Sequence, residues 1–112
     1  MISIACNIQE CYFEIIKKHF TSKDFYLEKF NPASYDDIYF IEINSLNDLD
    51  KIHQINRYPE TLIYIIGPND FHLLNECLTL GIHLYFEKDD LENSLHSKSD
   101  TIHQQIFTRF KT

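Results

Sequence analysis

Apolar residues cluster in four runs of strand length: Ile2–Cys6, Ile38–Ile43, Leu62–Ile66 and Leu84–Phe86. The first three are almost uninterrupted, the pattern of strands covered on both faces by helices. A fifth segment, Phe25–Phe30, sets Phe25 and Leu27 among polar residues and predicts an edge strand. Between these runs the apolar period lengthens to that of a helix. Residues 9–20 gather Tyr12, Phe13, Ile15, Ile16 and Phe20 on one side. Residues 46–57 follow Ser45, three places before Asp48, a capping-box-like start, and carry Leu46, Leu49 and Ile52. Residues 70–80 begin at an Asn69 or Asp70 cap and present Phe71, Leu74, Cys77 and Leu78; Gly81 then stands where a left-handed C-terminal cap belongs. The last stretch opens at Asp89-Asp90 and repeats Leu91, Leu95, Ile102 and Ile106, with Ser97–Asp100 as its weak point.

The resulting order, β-α-β-β-α-β-α-β-α, is nearly an alternating chain, and alternation implies a parallel sheet with right-handed crossovers and helices on both faces. One link is short. Asn31–Asp37 joins the second strand to the third with seven residues, whereas a parallel crossover takes about a dozen or more. Either the crossover helix has shrunk to a turn, or the second strand lies elsewhere.

Composition narrows the class. The 112 residues suit one domain, 1–112, and 44% apolar with 14% aromatic content marks a chain that folds around a core. A net charge of −7 opposes binding to phosphate backbones and anionic membranes, so direct nucleic-acid or membrane contact is not expected. No apolar run reaches the roughly 20 residues of a membrane helix, and no basic leader precedes the first strand. Three cysteines, Cys6, Cys11 and Cys77, are an odd set without a secretion signal, read as reduced thiols packed in the core of a cytoplasmic protein.

Three segments carry a family resemblance. Asp37-Ile38-Tyr39-Phe40-Ile41-Glu42-Ile43 resembles the third strand of a response-regulator receiver domain, which ends in the phosphoacceptor Asp. Leu62-Ile63-Tyr64-Ile65-Ile66-Gly67 is similar to the fourth strand, which the family ends in Thr or Ser. Gly81-Ile82-His83-Leu84-Tyr85-Phe86-Glu87-Lys88 resembles the approach to the fifth, with an aromatic switch position at Tyr85 and the active-site Lys at Lys88. The flavour is that of receivers joined to LytTR-type DNA-binding domains. The resemblance implies a flavodoxin-like three-layer sandwich, a five-stranded parallel sheet in order 2-1-3-4-5 with the second crossover helix shortened or missing, and a role in bacterial signalling. Thr112 closely follows the last helix, so a DNA-binding domain beyond it is a further expectation.

Receiver chemistry needs a nucleophilic carboxylate, acids that hold Mg²⁺, and a hydroxyl and a Lys for the phosphoryl oxygens. Here the acceptor position is Glu42, one methylene longer than Asp. The acidic pair after the first strand falls at Ile8 and Gln9, the hydroxyl position is Gly67, and only Lys88 is retained. Glu10 is a surrogate ligand only if the first helical turn faces the site. The site therefore reads as degenerate: no catalytic residue, no metal, no cofactor. A charge-assisted Glu42–Lys88 pair is expected to stand in for the phosphoryl–Lys contact. The alternative is a working phosphoacceptor with a non-standard acidic site.

Other chemistry is weaker. Six His residues show no i, i+4 pair, and His96 and His103, seven apart, are too few for a metal. Cys6 ends the first strand, but Asn7-Ile8-Gln9-Glu10 after it has none of the Gly, Ser or Arg of a phosphate-binding loop. Function is therefore expected at a surface. In receivers the face of the fourth helix, fifth strand and last helix pairs subunits or docks partners. Here it would comprise Phe71, Leu74, Leu78, Tyr85, Leu95 and Ile102, with Phe107 beside them, and would serve a homodimer or a protein partner.

Overall fold

The computed structural model describes residues 1–110. Its centre is a five-stranded sheet, every pairing parallel, in the order β2-β1-β3-β4-β5. The strands are β1 Ile2–Asn7, β2 Phe25–Lys29, β3 Ile38–Glu42, β4 Leu62–Gly67 and β5 Leu84–Glu87. Helix α1, Glu10–His19, crosses from β1 to β2. After β3 come a 3-10 turn over Leu46–Leu49 and the short α2, Asp50–His53. Helix α3, Phe71–Thr79, joins β4 to β5, and α4, Leu91–Ser97, and α5, Ser99–Arg109, close the chain. This is the flavodoxin-like α/β fold with the expected strand order.

Side chains alternate across the sheet with the period of two that strands impose. Phe40, Tyr64, Ile66 and Phe86 point to the face covered by α1, α4 and α5, where Ile16, Phe20, Leu91, Leu95, Ile102 and Ile106 complete the packing. Tyr39, Ile41, Ile63 and Ile65 point to the other face, against Ile52, Ile55, Leu73 and Cys77. Burial on both faces is why β3 and β4 read as continuous apolar runs. The first face is an aromatic stack: the Phe40 and Tyr64 rings lie 5.2 Å apart and Phe20 lies 5.8 Å from Phe40.

Between β2 and β3 no helix forms. A loop lies over the sheet instead, held by the Asn56 carboxamide donating to the Pro32 and Ser34 carbonyls at 2.9 and 3.2 Å. The Tyr35 and Tyr58 rings pack over it at 5.2 Å. Asp37 then sets the start of β3: its carboxylate accepts from the Ser3 N–H at 3.0 Å, and its own N–H donates to Ser3 Oγ at 3.0 Å.

Two expectations are corrected. The segment 46–57 is helical only over residues 46–53, in part as a 3-10 turn, because Ser45 makes no side-chain cap and Asp48 reaches back to the Asn44 N–H at 2.7 Å. Cys6 and Cys77 are core residues, but Cys11 is exposed, since its position on α1 turns away from the sheet. The last stretch breaks inside the weak point read at Ser97–Asp100, with α4 and α5 divided at Lys98. Asp70 and Gly81 do terminate α3 as read: Asp70 accepts from the Leu73 N–H at 3.1 Å, and Gly81 takes φ +78°. Thr112 lies outside the described residues, as does any expectation placed on it.

Candidate functional site

Parallel strands bring their carboxyl ends to one edge, so residues far apart in sequence meet there: Asn7 of β1, Glu42 of β3, Gly67 of β4, and Lys88 just after β5. Glu42 is only 3% exposed. Its Oε1 accepts from the Gln9 N–H at 2.8 Å, and its Oε2 accepts from Gln9 Nε2 at 2.5 Å and lies 3.0 Å from Lys88 Nζ. Lys88 also donates to Asn44 Oδ1, and Lys51 donates to the Glu42 carbonyl at 3.0 Å. Burial by itself would raise the Glu42 pKa. The Gln9 N–H, the Gln9 carboxamide and the Lys88 ammonium outweigh it and hold the carboxyl below the usual range. Glu42 is thus an ionised acid whose two oxygens are both taken.

This set does not fit a magnesium ion. A cation site needs several oxygen ligands, and what faces Glu42 is an N–H, an amide NH₂ and an ammonium. Glu10 adds no ligand: its exposed carboxylate stands 3.9 Å from Lys29, toward β2. Among the described residues no three His, Cys, Asp or Glu side chains gather as a metal site.

The space over Gly67 is already taken. A Cβ added to Gly67 would stand 2.4 Å from Tyr85 Oη, 2.9 Å from its Cζ and 3.1 Å from Ile43 Cγ1. The Tyr85 ring occupies the space a Thr or Ser side chain would need, and its hydroxyl donates to the Pro68 carbonyl at 2.6 Å. Burial, with Cys77, Asp70 and Glu87 nearby, pushes the Tyr85 phenol up to about 12, so it stays a neutral donor. Gly67 and Tyr85 form one unit.

Beside Tyr85 the surface carries Phe71 and Leu78, 78% and 54% exposed, with Leu74 half-buried between them. Leu95 and Ile102 do not belong to this face. They are 1% and 0% exposed and pack into the core with Leu91 and Ile106. Phe107 is partly exposed but packs on Phe25, 6.1 Å between rings.

Gln9 and Asn44 are the polar partners that sequence reasoning passed over. An amide standing where the family keeps an acid, opposite a Glu longer than the usual Asp, was the available signal. The remaining candidates are structural. Burial, with Asp36 adding to it, pushes the Cys6 thiol up to about 12, which removes it as a nucleophile. His83 Nδ1 accepts from the Ile63 N–H at 3.0 Å, tying the approach to β5 onto β4.

No protein-family model and no curated protein matches the chain in sequence. Solved structures match in fold. A pilus assembly protein CpaE from Caulobacter crescentus CB15 superposes with a TM-score of 0.65 at 15% identity, over 91% of this chain and 99% of that one. A putative CpaE2 pilus assembly protein from Sinorhizobium meliloti 1021 gives 0.57 at 15% identity, over 85% and 98%. A response regulator protein from Burkholderia multivorans gives 0.61 at 13% identity, over 92% and 96%. The fold is therefore receiver-like.

Proposed function

We propose that this chain is a receiver-like regulatory domain that acts without phosphorylation, by protein–protein contact, in bacterial signal transduction or transcription control. One observation carries the reading. Glu42, at the phosphoacceptor position, is already held by Gln9 and Lys88, so the Lys that would receive a phosphoryl oxygen is occupied by a resident carboxylate. The Glu42–Lys88 pair replaces the phosphoryl–Lys contact, and Tyr85, seated over Gly67, keeps one conformation. A buried pair of this kind serves specificity more than net stability.

The working face is then α3 and β5, with Phe71, Leu74, Leu78 and Tyr85, and it serves either a second copy or a protein partner. The cytoplasm is the compartment that fits the free thiols and the signalling fold. No helix among the described residues is long and apolar enough to cross a membrane. Pilus assembly proteins among the similar folds agree with an output that is not confined to DNA binding.

The test is an amide NMR titration with Mg²⁺ and then beryllofluoride, a phosphoryl mimic. The expected result is no saturable shift at Glu42, Gly67 or Lys88. Shifts spreading from these residues to Tyr85 would overturn the reading in favour of a working phosphoacceptor with a non-standard acidic site.

A further inference from the structure

Between α3, β5 and α4 runs a groove of about 360 Å³. Phe71, Leu74 and Tyr85 form its apolar part. Phe71, Leu74 and Leu78 recur at i, i+3 and i+7 along α3, a stripe and not scattered exposure, and Phe71 at 78% exposed is the most open ring on this face. The wall is preset. Tyr85 is fixed by its bond to the Pro68 carbonyl and by the space over Gly67. A ligand seated there would order few side chains, which favours binding.

The rim is acidic. Asp70, Glu87 and Asp90 line the groove, and none of them is ion-paired among the described residues. Asp70 caps α3, and Asp90 accepts from Asn93 and Ser94 at 3.1 and 3.2 Å, so both carboxylates hold fixed positions. Lys98 is the single cation in the lining, and its ammonium sits over the Phe86 ring, 5.3 Å from the centroid.

Charge separates the two occupants the apolar floor would accept. In a two-fold contact the same patch supplies both sides, so a lining with three carboxylates and one cation would meet another of the same net negative sign. The chain's −7 net charge adds to the repulsion. A segment carrying Lys or Arg beside a large apolar side chain would pair with all three. We infer that the groove receives a basic, apolar-anchored segment of a different protein. Its anchor packs among Phe71, Leu74 and Tyr85, and its cations meet Asp70, Glu87 and Asp90. This rests on the docking function proposed above and adds the chemistry of the partner.

The probe is a short synthetic peptide with a Phe-Leu pair flanked by Lys and Arg, set against a counterpart with Glu at each basic position. Amide shifts are followed on the full chain at physiological salt. The basic peptide is expected to move Phe71, Leu74, Tyr85 and Ser94 saturably, and the acidic one to move none of them. Phe71→Ala and Glu87→Lys should each weaken binding by about tenfold or more. Both positions are exposed, and an unchanged thermal midpoint would show that the fold is intact. Shifts scattered over the acidic surface and indifferent to Phe71→Ala would overturn the inference. So would a concentration-dependent dimer, seen by sedimentation, that Phe71→Ala abolishes, since a second copy would then own the face. Beryllofluoride separates the two levels. If it leaves the amides still while the peptide misses the groove, only the occupant is wrong; if it moves Tyr85, the underlying reading falls as well.

Discussion

Strand β3 has a buried carboxylate near each end, and the two are treated in opposite ways. Glu42, at the carboxyl end, is 3% exposed and has a donor on each oxygen. Asp36, two residues ahead of the amino end, is 5% exposed, and neither carboxylate oxygen has a hydrogen-bond partner among the described residues. Burial is nearly equal, so desolvation alone does not distinguish them. What differs is the company. Glu42 sits where four strand ends converge and present donors. Asp36 sits in the loop that replaces a crossover helix, with the Glu28 carboxyl nearby. The Glu42 pKa is accordingly drawn down, while burial first and Glu28 second push Asp36 up to about 6. The carboxyl end is an organised electrostatic site; the amino end holds a buried carboxylate without donors in a shortened connection.

Four experiments test this contrast, the largest effect first. Lys88→Met strips the cation from a buried carboxylate, and removing one partner of such a pair is strongly destabilising. A loss of about 2–3 kcal/mol in urea unfolding is expected, reduced from the fully buried case because Lys88 keeps 15% side-chain exposure. An unchanged midpoint with unchanged partner binding would show that the pair does nothing. Gly67→Ser next drives a side chain into the Tyr85 ring and should cost about 1–3 kcal/mol through overpacking. The Tyr85 signals in near-ultraviolet circular dichroism should change with it, and Tyr85→Ala in the same chain should recover part of the loss.

Asp36→Asn should act in the other direction. It removes a charge that the fold disfavours and is expected to stabilise the protein at neutral pH by about 1–2 kcal/mol. The two acids also give opposite pH slopes. The Asp36 contribution is complete below its ordinary 3.8 and is lost as pH rises through about 6. The Glu42 contribution is present at neutral pH and is lost as pH falls through its depressed value. Urea midpoints from pH 4 to 7 should therefore flatten in Asp36→Asn; an unaltered profile would place Asp36 in solvent. Last, Tyr39→Phe removes the hydroxyl that accepts the Asp36 N–H at 3.0 Å and should cost about 1 kcal/mol.

Much of this architecture was legible in the chain. Continuous apolar runs at Ile38–Ile43 and Leu62–Ile66 announced strands covered on two faces. The seven residues at Asn31–Asp37 left either a shrunken crossover helix or a second strand placed elsewhere, and the sheet order decides for the first. Asp70 and Gly81 marked the ends of α3 because caps depend on local backbone chemistry. Leu95 and Ile102 were misplaced because helical spacing says that residues share a face and not which way the face turns; packing against the sheet decided that. Gln9 was passed over because an uncharged amide looks inert until a carboxylate stands opposite it.

The division follows from the range of the forces. Strand placement, the parallel class of the sheet and the uncharged residues at Ile8, Gln9 and Gly67 depend on residues near one another or on residue identity, so the sequence by itself determined them. The saturation of Glu42, the seating of Tyr85 in the space over Gly67 and the acidic groove beside Phe71 join positions from different strands and helices. Only packing against the completed sheet, where distances of 3 Å decide which groups are paired and which are left alone, could settle those.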